Sequence, residues 1–205
     1  METMRVPSVE FGVARHVLPG QSESGDHHLV CCKNNCILIA AIDGIGHGEE
    51  AANAALAAIS ILEAGVEEPI ISLVERCHEK LRLTRGVVLS LASVDTVHGM
   101  MTWLGVGNVQ GVLLRAWPGK GKAQEELLLR GGVVGSQLPP LQATVLPFTW
   151  DDTLVFVTDG IRGEFIKTLS ARESPPRAAE RILEQYGTGI DDALVLVVRL
   201  TKPRP

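Results

Sequence analysis

The sequence has no long apolar run, no basic stretch and no paired cysteine knuckles, and each absence closes off a class of function. The longest uninterrupted apolar segment, Cys36 to Ile42, is 7 residues, far short of the roughly 20 needed to span a bilayer. Met1 to Glu10 offers neither a basic flank nor an apolar region of about 7–15 residues, so no secretory leader is expected and the reading is cytoplasmic, with no membrane partner. Acidic residues outnumber basic ones, 24 to 19, and no Lys/Arg run exceeds two residues, so no nucleic-acid footprint is present. Four cysteines, Cys31, Cys32, Cys36 and Cys77, lie downstream of His27 and His28. Structural zinc calls for two ligand knuckles, and only one crowded cluster exists. Alternation along a strand would put His28 and Cys32 on one face and His27 and Cys31 on the other, so the set reads as buried free thiols rather than a metal site.

What is present is enough apolar material for a core. Of 205 residues, 45% are hydrophobic and 21% charged, a balance that excludes disorder as the dominant state and suits one domain spanning 1–205 with its core at about 8–200. Strands are expected at 8–18 and 28–42, the second broken into a hairpin at Lys33-Asn34-Asn35. After Asp43-Gly44-Ile45-Gly46-His47-Gly48 the period becomes helical, with Ala52, Leu56, Ile59 and Leu62 on one face and Gly65 beyond the end. A second helix with Pro69 at its first position carries Ile70, Leu73, Val74, Cys77 and Leu81. Strands return at 87–94, 100–106, 109–114, 126–129, 144–148 and 153–158, with Gly119-Lys120-Gly121-Lys122 as a turn and Gly131 to Gly135 as a flexible connector. A third helix opens at Ser174-Pro175, and Ala193 to Leu200 forms a last buried strand. Strands come in runs rather than alternating with helices, which argues α+β: mainly antiparallel sheets with helices on their outer faces. The Lys202 to Pro205 tail is expected to fray.

The acids divide informatively. Of 8 Asp and 16 Glu, the Glu fall mostly in helical stretches, whereas Asp26, Asp43, Asp159, Asp191 and Asp192 fall where apolar strands meet glycine-containing turns. For a single Asp-Gly pair, a plain turn is the simpler reading. If these carboxylates converge they need a cation, because two of them about 4 Å apart repel by about 4 kcal/mol at an effective dielectric of 20. All-oxygen ligation selects Mg²⁺ or Mn²⁺ over zinc or copper. The glycines of Asp43-Gly44-Ile45-Gly46-His47-Gly48 do not form the dinucleotide pattern G-x-G-x-x-G, and an aspartate directly before them would repel a pyrophosphate.

The joint order is specific: Asp26, then Asp43-Gly44-Ile45-Gly46-His47-Gly48 opening an alanine-rich helix, then Asp159-Gly160 after an apolar strand, then Asp191-Asp192-Ala193 entering a final strand. In this order the chain resembles the metal-dependent phosphatases of the protein phosphatase 2C superfamily, and within it the bacterial SpoIIE-type branch, over about residues 8–200. The resemblance implies an αββα sandwich with a centre of two divalent cations, Mn²⁺ or Mg²⁺, at one end. It implies hydrolysis of phosphoserine or phosphothreonine on a protein by a metal-activated water, with no side-chain nucleophile. Asp43 is then similar to the carboxylate bridging both ions, Asp159 and Asp191 to ligands of one, and Asp26 with the Gly44 carbonyl to ligands of the other. Asp192 is the weaker match of its pair.

Two positions depart from the pattern. Ile45 stands where eukaryotic members carry a histidine general acid, and His47 either opens the helix or takes a catalytic part. The family's phosphate-binding arginine has only Arg15 and Arg162 as candidates. The compact form resembles the phosphatases of the bacterial stressosome, implying a phosphorylated STAS-domain stressosome protein or an anti-sigma antagonist as partner. A catalytically silent, partner-binding relative is the alternative, although such relatives usually lack a ligand and all four aspartates are present here.

Overall fold

The computed structural model describes residues 8–119 and 121–201. Chain-terminal expectations and the turn position Lys120 lie outside them. In chain order the elements are β1 Ser8–His16, β2 Asp26–Lys33, β3 Cys36–Gly44, α1 Glu49–Ala64, α2 Ile70–Leu81, β4 Val87–Asp95, β5 Met100–Val106, β6 Gln110–Leu114, β7 Gln124–Glu126, β8 Leu129–Arg130, β9 Thr144–Pro147, β10 Thr153–Val157, a 3₁₀ segment Gly163–Thr168, α3 Pro175–Tyr186 and β11 Ala193–Thr201. Two sheets result: one ordered β1-β11-β10-β6-β7, the other β2-β3-β4-β5-β8, with β9 also pairing β5. All pairs are antiparallel except the short β5–β8 contact. The fold is the expected αββα sandwich.

Period-two alternation builds its layers. Along β3, Leu38, Ala40 and Ile42 face α1 and α2, while Ile37, Ile39 and Ala41 face the second sheet. Along β11, Leu194, Leu196 and Val198 point between the sheets, and Val195 and Val197 pack toward α3 with Ala178, Ala179 and Ile182. Strands buried on both faces therefore read as continuous apolar runs.

Five local expectations are corrected. The buried face of α1 is Ala51, Ala52, Ala54, Ala55, Ala58 and Leu62, while Leu56 is exposed. The helix starts in close approach to the sheet: a methyl group on Gly44 would overlap the Ala51 carbonyl oxygen, so small side chains fill this end of the contact. Gly44→Ala is expected to destabilise the protein by about 2 kcal/mol or more, measurable as a lower denaturation midpoint at unchanged slope. The 126–129 strand is two pieces, β7 and β8, on different sheets. Gly131 to Gly135 is not a free connector, because buried Val134 exchanges both backbone hydrogen bonds with Val87, at 2.9 and 2.8 Å. Pro69 caps α2 from outside rather than occupying its first position. Among the cysteines only Cys77 is buried; Cys31 and Cys36 are half-buried and Cys32 is exposed, because the β2 face opposite α1 carries His28 and Cys32 toward the surface.

Candidate metal centre

The aspartates reach one end of the sandwich from both sheets. Asp26 opens β2 and sits directly across from Asp43 near the end of β3, a like-charge cross-strand pair that is unfavourable by itself. Asp159 follows the end of β10 and Asp191 precedes the start of its antiparallel neighbour β11, so antiparallel pairing alone brings both to the same edge. All four, with Asp192, line a cavity of about 480 Å³ whose other walls are Ile45, Gly46, His47, Val88, Gly107, Asn108, Gly131 and Gly132. Among the described residues no lysine or arginine lines it. Gly44 lies between two lining residues, Asp43 and Ile45.

The hydrogen bonds separate carboxylates held by the protein from those left for a ligand. Asp192 is buried and spent on backbone: its Oδ1 accepts from Leu18 N–H and its Oδ2 from Gly25 N–H, both at 2.8 Å. It fixes the loop that delivers Asp26. The Asp26 Oδ2 accepts from the Thr158 hydroxyl at 2.6 Å, and that hydroxyl in turn accepts from Leu194 N–H at 2.8 Å. This relay ties the two sheets together at the site. Thr158→Val would leave a buried acceptor and a buried N–H without partners, costing about 1–3 kcal/mol, a loss that thermal unfolding would register. Asn108 Nδ2 donates to Asp159 Oδ2 at 2.9 Å. The sequence does not show this role of Asn108; its only signal is an amide side chain between β5 and β6, entering the strand beside β10.

Burial pushes the Asp43 carboxyl up to about 8, with the charges of Asp26, Asp159, Asp191 and Asp192 adding to it. Burial likewise pushes Asp26 up to about 7 against the Thr158 hydrogen bond, with Asp192, Asp159 and Asp191 adding. Asp159 is raised by burial and then by Asp191. The protein has thus gathered anions that resist ionising together. Among the described residues no three acidic, histidine or cysteine side chains close on one point as a ready-made cage. A set of oxygens spread around an open pocket suits Mg²⁺ or Mn²⁺, which keep several waters. The donor set therefore fits hard divalent cations.

The candidate arginines lie elsewhere. Arg15 Nη2 is 2.6 Å from His28 Nδ1, and Arg162 Nη2 donates to the Gln185 carbonyl at 2.6 Å; neither lines the cavity. His47 does line it, ahead of the first helical residue Glu49.

Residues 33–201 match the family described as Stage II sporulation protein E (SpoIIE). The chain belongs to the SpoIIE family. It is thereby placed among the metal-dependent protein phosphatases, as the order of its Asp motifs implies. The phosphoserine phosphatase RsbX of Bacillus subtilis (strain 168) is 23% identical over 181 residues, 87% of this chain and 88% of that protein. A solved structure from the bacterial stressosome, described as a modular system adapted to control secondary messenger signalling, is 31% identical with a TM-score of 0.84, covering 94% of this chain and 100% of the other. The crystal structure of RsbX in complex with magnesium superposes with a TM-score of 0.82 at 21% identity, over 96% of this chain and 100% of that one. No helix among the described residues of this SpoIIE-family member is long and apolar enough to cross a membrane.

Proposed function

We propose that the protein is an active phosphatase that removes phosphate from phosphoserine or phosphothreonine of a bacterial signalling protein in the cytoplasm, using two divalent cations, Mg²⁺ or Mn²⁺. The observation that carries this reading is the pocket itself, where five aspartates from both sheets meet and no cationic side chain among the described residues lines it. In this reading Asp43 would help hold both ions, Asp159 and Asp191 would hold one, and Asp26 with the Gly44 carbonyl would hold the other. Such ions polarise phosphoryl oxygens and make water a nucleophile at neutral pH. That chemistry needs no side-chain nucleophile, and the lining residues include no serine, threonine or cysteine.

The chain's own residues do the positioning. Thr158 holds one oxygen of Asp26 and leaves the other toward the pocket, Asn108 orients Asp159, and Asp192 anchors Leu18 and Gly25 so that Asp26 keeps its place. Ile45 cannot deliver a proton to a leaving serine oxygen. His47 is the one titratable group besides the aspartates among the described lining residues.

For the substrate, likeness to RsbX and to a stressosome structure favours a phosphorylated STAS-domain scaffold protein, with an anti-sigma antagonist as the related choice. The experiment is incubation of the Mn²⁺-supplied protein with a phosphorylated STAS-domain stressosome protein, followed by mass. Loss of phosphate is expected only with metal present; retention of phosphate there, alongside hydrolysis of a phosphorylated anti-sigma antagonist, would move the assignment to the latter.

A further inference from the structure

Beside the aspartate cavity lies a second pocket of about 260 Å³, a volume that suits one side chain rather than a cofactor. Asn108, Gly131 and Asp159 line the first, and Gln110, Leu129 and Gly163, two to four residues along the same three segments, line the second. From Asn108 to Gln110 the chain can cover at most about 7 Å. The second pocket is therefore next to the candidate metal centre.

Its floor is the outer face of β6, and its polar groups are not used by the fold. Val112 lies directly across the β6–β7 ladder from Glu126. Gln110, two residues before Val112, shares that face, which makes Gln110 and Glu126 diagonal neighbours about 7–8 Å apart, within reach of long side chains. Val112 also packs with Phe165 of the 3₁₀ segment, whose Gly163 and Ile166 form the opposite wall. A methyl group on Gly163 would lie 3.8 Å from Gln110 Nε2, so the absent side chain leaves that amide uncovered. Among the described residues Gln110 Oε1 is buried with no hydrogen-bond donor, and exposed Glu126 makes no ion pair. A buried amide oxygen without a donor costs stability and calls for an explanation. The terminal torsion of a glutamine is soft, so the amide can turn its oxygen toward a ligand that supplies the donor. Because β7 is the outer strand of its sheet, such a ligand reaches the pocket from solvent.

We propose that this pocket is a specificity subsite that takes a lysine or arginine side chain of the phosphoprotein, two or three residues from the phosphorylated position, between the Gln110 amide oxygen and the Glu126 carboxylate. This rests on the phosphatase reading above. The separation follows from reach, since an extended substrate covers about 3.3–3.6 Å per residue. The sign follows from the two acceptors, which only a donor-rich cation satisfies together.

The test uses phosphothreonine peptides of one alanine-rich sequence, carrying a lysine two or three positions before or after the phosphothreonine, or none. Their kcat/KM with Mn²⁺ is compared with that of p-nitrophenyl phosphate on wild type, Glu126→Lys and Gln110→Leu. Wild type is expected to favour at least one lysine placement over the alanine peptide by about fivefold or more, through KM. The aryl phosphate has no flanking residue, so all three proteins should hydrolyse it within about twofold of one another. Glu126→Lys should abolish the lysine preference. Gln110→Leu should reduce it while leaving the melting temperature equal or higher, because an apolar group of similar shape replaces an unpaired amide. A Gln110 that served structure alone would instead lower the melting temperature in Gln110→Leu and leave the preference intact, and that result overturns the proposal. Equal kcat/KM for every peptide on wild type, or a lysine preference that survives Glu126→Lys, overturns it too. Absence of turnover on the aryl phosphate and on all peptides would remove the phosphatase reading. Fluorescence anisotropy with the labelled lysine peptides then decides the subsite: binding lost in Glu126→Lys upholds it, and equal binding, or none by wild type, overturns it.

Discussion

Asp43→Asn is expected to lower metal-dependent phosphatase turnover by about a thousandfold or more, while making the metal-free protein more stable at pH 8. The two halves have one cause. Asp43 sits across the β2–β3 ladder from Asp26 and shares its pocket with three further carboxylates, and its own carboxyl is pushed up to about 8 by burial and by those neighbours. An amide of the same shape removes a buried charge and relieves its neighbours, so folding gains roughly 1–2 kcal/mol at alkaline pH after allowance for water at this half-buried side chain. In the proposed centre the same substitution takes away a carboxylate that would help hold the ions. Metal polarisation of a phosphoryl group is worth several kcal/mol, and each 1.36 kcal/mol is tenfold in rate. Initial rates with Mn²⁺ and thermal unfolding in a chelator give the two numbers. An Asp43→Asn protein that is less stable without metal would show that the carboxylate is a structural partner rather than a strained ligand.

The second large effect is a fall in stability of the metal-free protein as pH rises. Asp26 and Asp43 have folded-state values of about 7 and about 8 against an ordinary value of 3.8. Between these limits the folded protein holds more protons than the unfolded chain, so the slope of unfolding free energy against pH is negative. The destabilisation is absent below the unfolded value, grows as pH rises, and is complete above about 8. Two histidines act in the opposite sense over part of this range: burial lowers His28 to about 4, with Arg15 and His27 adding to the effect, and burial lowers His27. These groups are kept neutral by the fold, so they add stability as pH rises toward the ordinary histidine value of 6.5, and above it they are silent. The carboxylate effect is therefore cleanest between about pH 6.5 and 8.5. Its full size is on the order of 4 kcal/mol after discounting for coupling within the pocket and for water at Asp43, or about 10 °C in melting temperature for a domain of this size. Added Mg²⁺ or Mn²⁺ should raise the melting temperature more at pH 8 than at pH 6, because ligands must be deprotonated to bind. A metal-free melting temperature that rises steadily from pH 6.5 to 8.5 would contradict this electrostatic account.

The sequence made the sandwich legible because its strands obey period two on both faces. In β3, CILIAAIDG supplies one apolar set to the helices and another to the facing sheet, and a continuous apolar run ending in Asp-Gly leaves little alternative to a central strand whose carboxylate emerges at the end. The convergence of Asp26, Asp43, Asp159 and Asp191 was legible for the same reason, since each is tied to a strand end. What stayed hidden were relations carried by single long-range hydrogen bonds. Asp192 could not be told from Asp191 by pattern, because its partners Leu18 and Gly25 are 174 and 167 positions away. Asn108 looked like any turn residue until β6 was placed beside β10. The arginines failed as sequence candidates because nearness in the chain to an aspartate says nothing about direction: Arg162 follows Asp159 closely yet bonds to Gln185 at the end of α3. Leu56 matched helical spacing but faces solvent, because the buried face of α1 runs through Ala51, Ala55, Ala58 and Leu62 instead.

The central claim is that these aspartates hold divalent cations that hydrolyse a phosphate ester. Its most direct measurement is phosphate release from p-nitrophenyl phosphate by the purified protein with Mn²⁺, with a chelator, and in the Asp43→Asn and Asp159→Asn variants. The account predicts release that requires the metal and is lost in both variants. Equal residual rates in wild type and both variants, or a rate that survives the chelator, would contradict it.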